Sequence, residues 1–437
     1  MSGSFERLIS AAHAHDIVIH SLEASIGGEL VYSAGAAGVG PHVPHRMYSV
    51  SKSFTAIVVL SLAHEGALSL DDALMDHFPE KRPVDPLLEK ATIADLLSMR
   101  TPYTGTTYVE NEGEWLESFF RAAPSHRPGT LFHYDTSASY TLAALIERLD
   151  RRTWEDSVRE RIFAPLGLGE GMRMLTGPEG IGHGGSGMIA RPRDMLVIAE
   201  MLLGGGERRG TRVLPREVVE ELVAHRADTA MVNWGAANRF GYGAQTWLPP
   251  QGGWMMVGLG GQYVYGDPSR DLAVVMTADA QGCNAGDQRL SWMLLEALGE
   301  PLGDAPASIA RPAPTHDAAF AREVAGSAAA VSGTGLPASI DIDLSAEEVT
   351  LQAGEVRFTA HPGQEQAVHV PEVGSGIVTG GWCAPGIFDA RLDVSGDDIA
   401  RLRVRIVVTD DRLVTVQAQG FGPGAPAAWT GQGTFEY

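Results

Sequence analysis

The sequence predicts an α+β fold in the first 300 residues, followed by a C-terminal β-rich barrel or sandwich domain. Strand patterns lie at both ends of the first part, at 16–34 and 241–278, and helical patterns fill the middle. Apolar and polar residues alternate again beyond position 317. Because strands from both ends of a domain can pair in one layer, we expect an antiparallel sheet, a helical region and a cleft where they meet.

Each element rests on apolar spacing and on turn residues. Around Gly27-Gly28, the segments 17–19 and 29–32 carry strand-forming residues, which predicts two strands joined by a tight turn. A second turn at 266–270 joins the last two strands of the first part. The periodicity predicts helices at 51–65, 137–151, 153–163, 194–203 and 286–298, and strands at 241–247, 254–265 and 271–278.

The length of the chain predicts more than one domain, because 437 residues are too many for one ordinary core. The segment after residue 300 is rich in proline and breaks regular structure. We therefore predict a first domain over 1–300, a linker over 301–316 and a β-rich accessory domain over 317–437. The accessory domain could restrict the cleft, bind substrate or mediate association, and a purely structural role is the default expectation.

Composition and termini indicate which partners to expect. A net charge of −21 repels phosphate backbones and anionic lipid, so no nucleic acid and no membrane partner is expected. The N-terminus lacks a secretory signal pattern and no apolar run could span a bilayer, so the expected location is cytoplasmic. Cys283 and Cys383 are too few for a disulfide framework and are expected to be free thiols in different domains.

The strongest functional signal is Lys52, one of three lysines in the chain. It lies three residues after Ser49 at the start of a strongly apolar helix that Gly66 is predicted to end. Residues three apart share a helix face, and burial together with the helix dipole disfavours the ammonium form. Lys52 could therefore accept the Ser49 proton and activate the hydroxyl as a nucleophile. The alternative is a surface lysine beside an ordinary N-cap serine.

The motifs and their order over residues 10–300 resemble those of the serine hydrolases related to class C β-lactamases and penicillin-binding proteins. Ser49 and Lys52 match the first motif of that family, Ser-x-x-Lys. The second motif is Tyr-x-Asn, which Tyr134 matches at its first position, whereas Thr136 stands where the asparagine is expected. The third, Lys/His-Thr/Ser/Gly-Gly on an edge strand, is matched by the glycines of Leu259-Gly260-Gly261, with leucine in place of the cation or imidazole.

The resemblance implies a β-lactamase-like catalytic domain over 1–300 that works through an acyl-enzyme at Ser49. It assigns proton transfer to Lys52 and Tyr134, leaving open which is the general base, and it assigns the oxyanion hole to the backbone amides of Ser49 and Gln262. Without the motif order, Tyr134 would be interpreted as a core aromatic residue. Losing the asparagine and the cation argues against hydrolysis of penicillins or cephalosporins.

Further residues are candidates for substrate binding. Thr136, Leu259, Gly260 and Gly261 follow from the motifs. Tyr103 and Tyr108 lie in an aromatic loop that could cover the cleft or simply bury its rings, and His183 precedes a glycine-rich turn. No metal and no cofactor is expected, because the histidines lack companion ligands at metal-site spacing.

Together these features predict a serine hydrolase that cleaves an ester or amide bond of a small molecule or peptide. Two alternatives stay open. An acyltransferase would use the same acyl-enzyme and pass the acyl group to an amine or alcohol. A catalytically silent ligand-binding or sensor protein could retain the same fold and pocket.

Overall fold

The structure is a computed structural model that describes residues 3–109, 113–354, 356–409 and 412–437. It divides into two compact units. The first comprises residues 1–12, 19–278 and 285–309, and the second comprises 13–18, 279–284 and 310–437. The division between residues 309 and 310 falls inside the segment predicted to be a linker. None of the helices in the described ranges is long and apolar enough to cross a membrane.

Helices occupy the middle of the first unit, as the apolar periodicity predicts. The predicted helices at 51–65, 137–151, 194–203 and 286–298 are present with ends shifted by no more than two residues. The α-helices are α1 (Ser4–Ala14), α2 (Val50–His64), α3 (Leu74–His77), α4 (Ile93–Leu97), α5 (Trp115–Arg121), α6 (Thr136–Asp150), α7 (Trp154–Val158), α8 (Pro192–Leu203), α9 (Arg216–Val223) and α10 (Gly286–Ala297).

A five-stranded sheet with the order β2-β1-β10-β9-β8 draws its strands from both ends of the first unit, which confirms the predicted α+β class. Its hairpins β1–β2, β8–β9 and β9–β10 are antiparallel. Three short strands form a separate sheet and two form a small ribbon. The strands are β1 (Val18–Ile26), β2 (Glu29–Gly35), β3 (His45–Arg46), β4 (Arg173–Met174), β5 (Met188–Ala190), β6 (Glu207–Arg208), β7 (Thr211–Arg212), β8 (Trp254–Gly258), β9 (Gln262–Asp267) and β10 (Leu272–Asp279).

Helix α2 runs through the core of the first unit and is buried along nearly its whole length. A helix that is apolar on all sides is stable only when other elements surround it. Gly66 follows the C-terminus with φ +78°, and the next amide, of Ala67, donates to the Leu62 carbonyl. This left-handed glycine ends the helix as the sequence predicts.

The predicted strand at 241–247 is wrong. Gly241 and Gln245 have φ +125° and +51°, which breaks the extended backbone, and only isolated bridges remain at Tyr242 and Trp247. The Gln245 carbonyl instead accepts from the Ser53 hydroxyl at 2.7 Å. Tertiary hydrogen bonds of this kind replace the expected ladder.

Two other elements differ from their predicted extent. The strand predicted at 254–265 is a hairpin, because Gly260 and Gly261 adopt φ +80° and +99° and reverse the chain between β8 and β9. The helix predicted at 153–163 is α-helical only to Val158 and continues as a π-helix over Arg159–Phe163.

The second unit is a single ten-stranded antiparallel sheet that closes nearly into a barrel. Strand order is β14-β13-β12-β11-β20-β19-β18-β17-β16-β15, and the alternating burial of β12 places its apolar side chains inside. One continuous sheet resolves the predicted choice between barrel and sandwich in favour of the barrel. The strands are β11 (Val324–Thr334), β12 (Ser339–Leu344), β13 (Val349–Ala353), β14 (Val356–Ala360), β15 (Glu365–Val370), β16 (Gly374–Ala384), β17 (Ile387–Val394), β18 (Ala400–Val408), β19 (Leu413–Phe421) and β20 (Gly431–Glu436).

Both cysteines are free thiols, as predicted. The expectation that they lie in different domains is wrong. Cys283 belongs to the short segment 279–284, which packs with the same unit as Cys383.

Candidate active site

Ser49 lies immediately before α2, where the chain turns sharply into the helix. Tyr48 has the left-handed φ of +47°, and its carbonyl accepts from the Ser51 hydroxyl at 2.6 Å. The Ser49 hydroxyl makes no capping hydrogen bond to the helix. The hydroxyl of an N-cap serine usually accepts a hydrogen bond from a helix amide. The Ser49 hydroxyl does not, so its oxygen can react with a substrate.

Lys52 lies one turn into α2 with only 1% of its surface exposed. Its Nζ donates to Ser49 Oγ at 2.9 Å, to Thr136 Oγ1 at 3.1 Å and to the Gly185 carbonyl at 2.7 Å. All three acceptors are neutral, so the ammonium is solvated by dipoles rather than paired with a carboxylate. Burial lowers the pKa of Lys52 to about 7, although the charge of Asp135 acts to raise it. A substantial fraction of this amine is therefore neutral near pH 7.

The glycine-rich turn predicted at 184–187 holds the third partner of Lys52. A Cβ at Gly184 would lie 2.6 Å from Thr55 Oγ1, and one at Gly185 would lie 2.6 Å from Thr136 Cγ2. The turn therefore contacts α2 and α6 at distances that only glycine allows. This close approach brings the Gly185 carbonyl to Lys52.

Tyr134 completes the group around the nucleophile. Its phenol interacts with the Ser49 hydroxyl, which acts to lower the pKa of the phenol, and the Lys52 nitrogen lies 4.8 Å from its ring centroid. Burial raises the pKa of this phenol above its ordinary value. The ring stacks on Trp247 with centroids 5.6 Å apart and planes at 21°. The three residues of the predicted catalytic set are thus adjacent.

Thr136 and Asp135 support this group from the start of α6. Thr136 occupies the position expected for asparagine and still supplies an acceptor to Lys52. Asp135 is buried and caps α6, accepting from the amides of Ser137 and Ala138. Its carboxylate also accepts from the Thr101 hydroxyl at 3.0 Å, while burial raises its pKa to about 6. Sequence reasoning missed Asp135, although an aspartate just before a predicted helix is an N-cap signal.

The hairpin turn after β8 brings a second backbone segment close to Ser49. A Cβ at Gly258 would lie 2.3 Å from the Met47 carbonyl, so this strand end can approach only as glycine. The Gln262 side chain points into the sheet, where it donates to the carbonyls of Leu259 and Ala278 at 2.9 and 2.8 Å. These bonds fix the turn that carries Leu259, Gly260 and Gly261.

A cavity of about 220 Å³ opens beside Ser49. Tyr134 and Leu259 of the predicted site residues line it, with Lys52 and Thr136 hydrogen-bonded behind the nucleophile. Strands β8 and β9 supply part of the remaining wall, and sequence analysis missed the part that comes from α10 and from the segments around Trp234 and Trp247. The remaining wall residues are Trp234, Asn238, Trp247, Val257, Gly258, Tyr263, Asp287, Gln288 and Ser291.

Tyr103, Tyr108 and His183 lie elsewhere. Tyr103 is buried and donates its phenol to the Phe119 carbonyl. Tyr108 stacks on Trp115, and His183, 3% exposed, packs edge-on to the same indole. Burial and the nearby charge of Lys52 lower the pKa of His183 to about 3, so this imidazole is neutral. The structure thus gathers these residues into aromatic packing, and their predicted contact with substrate stays a prediction.

Within the described ranges, no group of three or more histidine, cysteine or acidic side chains is arranged to hold a metal ion.

The class of β-lactamase-fold proteins is defined by an antiparallel sheet with a helical region, and by a serine at the N-terminus of a buried helix with a lysine three residues later. The family model described as Beta-lactamase matches residues 5–298. The chain belongs to the beta-lactamase family, which confirms the resemblance inferred from the motifs.

Individual relatives agree with this assignment. The chain is 24% identical over 275 residues to 6-aminohexanoate-dimer hydrolase of Paenarthrobacter ureafaciens, covering 57% of this chain and 69% of that protein. It resembles the structure of a family VIII carboxylesterase with a TM-score of 0.55 and 17% identity, over 67% of this chain and 95% of the other. The structure of SurE superposes with a TM-score of 0.54 and 18% identity, and the match covers 96% of this chain and 97% of the SurE chain. The similar proteins thus include hydrolases, and SurE matches the fold over both units.

Proposed function

We propose that the chain is a serine hydrolase that cleaves an ester or amide bond of a small molecule or peptide through an acyl-enzyme at Ser49. One observation carries this proposal. The Nζ of Lys52 lies 2.9 Å from Ser49 Oγ, and burial lowers the pKa of Lys52 to about 7. A neutral amine in hydrogen-bond contact with a serine hydroxyl is the arrangement that activates such a nucleophile.

In the first half-reaction, neutral Lys52 accepts the Ser49 proton while Oγ attacks the substrate carbonyl carbon. The carbonyl oxygen becomes an oxyanion, for which the backbone amides of Ser49 and Gln262 are the proposed donors. The close approach of Gly258 to the Met47 carbonyl supports this assignment, because Gly258 pairs with Gln262 and so keeps the start of β9 close to the nucleophile.

The opposite pKa shifts of the two candidate bases favour Lys52. Burial raises the pKa of the Tyr134 phenol and lowers that of the Lys52 ammonium, so the neutral amine is far more abundant than the phenolate. The phenol, next to Ser49, is suited to relay to the leaving group the proton that Lys52 has accepted, which returns both groups to their starting protonation. Water then attacks the acyl-enzyme and releases the acid, with the same groups acting in reverse.

Labelling with a fluorophosphonate tests the proposal directly. We expect intact mass spectrometry to show one adduct on the wild type and none on Ser49→Ala. Ser332→Ala removes an exposed strand serine of the second unit and is the control, which should show one adduct. Hydrolysis of simple esters should disappear in Ser49→Ala. Folded wild-type protein that neither labels nor turns over any ester would refute the hydrolase and favour a ligand-binding protein.

Competition between water and an added nucleophile tests the acyltransferase alternative. Hydroxylamine or an amino-acid amide is added at increasing concentration to a reaction with an ester that the protein hydrolyses. Predominant release of the acid supports the hydrolase. Predominant formation of the hydroxamate or amide at millimolar nucleophile would identify a transacylase that uses the same acyl-enzyme.

A further inference from the structure

The cavity beside Ser49 is walled by aromatic rings. Tyr134 and Trp247 form a stacked pair, and Trp234 stands nearly perpendicular to Trp247, at 87° with centroids 5.5 Å apart. Trp234 keeps 37% of its surface exposed although it lines a concave site. An indole with an uncovered surface in a cavity offers a stacking surface to a ligand.

The volume and charge of this cavity restrict what fits. An apolar cavity of about 150 Å³ is large enough to bind benzene, so about 220 Å³ holds a phenyl ring and a few further atoms. Among the described residues, the wall contains no lysine or arginine, and it carries the acidic Asp287. A carboxylate on the substrate would meet Leu259 and an acidic side chain there, and would lose its hydration without compensation.

One buried polar side chain interrupts the aromatic wall. Asn238 is 4% exposed, and its buried Oδ1 has no hydrogen-bond partner among the residues that the structure describes. Gly235 packs against it so closely that a Cβ there would lie 2.9 Å from Asn238 Nδ2. An unsatisfied buried amide is costly, and a substrate group that bonds to it recovers that cost. Either end of the amide can serve, because a half-turn exchanges its oxygen and nitrogen.

From these three observations we infer that the site takes substrates with an uncharged aromatic ring near the scissile carbonyl. We infer further that these substrates carry an amide group close to the ring. Trp234 stacks on the ring, Asn238 bonds to the amide, and Leu259 excludes carboxylates. The inference rests on the proposed function, since it assigns the substrate class of the same Ser49 site.

Methyl esters and alkyl acetates test the aromatic preference, because a p-nitrophenyl leaving group would itself offer a ring. Methyl phenylacetate and benzyl acetate carry the ring on the acyl and alcohol sides. Their cyclohexyl counterparts match them in size. We expect kcat/KM to favour the aromatic member of at least one pair by about two- to tenfold, the range of an aromatic stack. Methyl 4-carboxyphenylacetate should be the poorest substrate.

Substitutions in the cavity wall test whether Trp234 causes the preference for aromatic substrates. Trp234→Ala should abolish the aromatic preference and Trp234→Phe should retain most of it. Met231→Ala, in the same segment but 95% exposed, should behave as the wild type. Leu259→Lys should improve the carboxylated ester relative to its parent. Equal rates for the aromatic and cyclohexyl members of both pairs, or an unchanged preference in Trp234→Ala, would overturn the inference.

A second substrate pair tests Asn238. Methyl hippurate and methyl 3-benzoylpropanoate differ only in an amide N–H replaced by CH₂. We expect the wild type to prefer hippurate by about fivefold, as for a neutral hydrogen bond of ordinary strength, and Asn238→Leu to lose this preference. If Asn238→Leu still prefers hippurate, Asn238 does not bind the substrate amide. If no ester is hydrolysed and Ser49 does not label, the proposed function fails; turnover without selectivity defeats only this inference.

Discussion

The buried carboxyl group of Asp135 raises the pKa of Lys52 without bonding to it. The carboxylate is held by Thr101 and by the amides at the start of α6, while the amine is held by neutral acceptors. Burial pushes the Lys52 pKa down to about 7 and the negative charge opposes that shift. The fraction of lysine that can accept a proton is therefore set by two opposing effects of known sign.

We expect kcat/KM for an ester to rise with pH and to reach half its plateau near pH 7, where Lys52 loses its proton. Asp135→Asn should move this midpoint to lower pH, because removing the negative charge destabilises the ammonium. A pH–rate profile of both proteins measures the shift. Asn caps helices as well as Asp, so α6 should persist.

Asp150→Asn is the matched control for that profile, since Asp150 ends the same helix and pairs with Arg161. It should leave the midpoint unchanged. A midpoint in Asp135→Asn that equals the wild-type value would show that the carboxyl group does not act on the catalytic amine.

The depressed pKa of Lys52 also has a consequence for stability that does not depend on catalysis. Unfolding returns the amine to its ordinary pKa of 10.5, so between about pH 7 and 10.5 the unfolded chain binds a proton that the folded chain lacks. This group alone should therefore make the free energy of unfolding rise with pH by about 1.4 kcal/mol per unit in that range.

Lys52→Met removes this contribution. Urea unfolding of the first unit is measured at pH 7, 8 and 9. The free energy of unfolding of the wild type, relative to that of the variant, should increase as pH rises. A pH-independent difference would mean that the folded amine titrates as an ordinary lysine. Lys81→Met, a partly exposed lysine paired with Glu117, provides the comparison.

Local geometry explains how much of this site can be predicted from sequence. Ser49 is the N-cap residue of α2 and Lys52 lies in its first turn, so a spacing of three residues fixes their proximity. Thr136 is located only by its place in a motif. The Gly185 carbonyl reaches Lys52 across 133 residues of sequence, and that contact depends on packing between elements rather than on any local pattern.

The wall of the cavity is beyond sequence reasoning for the same reason. Trp234 lies in a loop, and Asn238 ends the short 3₁₀ helix Ala236–Asn238, which is too short to give a periodic signal. Trp247 ends a stretch whose apolar alternation predicts a strand, although left-handed backbone at Gly241 and Gln245 prevents one. The fold class, by contrast, is readable because long apolar elements such as α2 carry strong periodic signals.

Gly185 provides a direct test of how the lysine is held. In Gly185→Ala, the new Cβ would lie 2.6 Å from Thr136 Cγ2 and 3.1 Å from the Thr136 carbonyl. The turn must then move away from α6, and its carbonyl must move away from Lys52. We expect a loss of about 1–3 kcal/mol in stability, as for other overpacked sites, together with lower kcat.

Gly396→Ala is the comparison for this substitution, because a Cβ at Gly396 would have no described atom within 4 Å. It should leave thermal stability and turnover near wild-type values. Wild-type kcat in Gly185→Ala would show that the carbonyl is dispensable for positioning the amine.

His45 predicts sensitivity of the fold to acid. It is 2% exposed, and its ring packs edge-on to His20 with centroids 5.9 Å apart. In the described part of the chain, neither of its ring nitrogens has a hydrogen-bond partner. Burial lowers its pKa from 6.5 to about 4, so below pH 6.5 the unfolded chain binds a proton that the folded chain excludes. Stability should fall by about 3 kcal/mol between pH 6.5 and 4 on account of this residue alone. In His45→Phe, which keeps a ring without a titratable group, urea midpoints should decline less steeply over that interval, and an equally steep decline would place the acid sensitivity elsewhere.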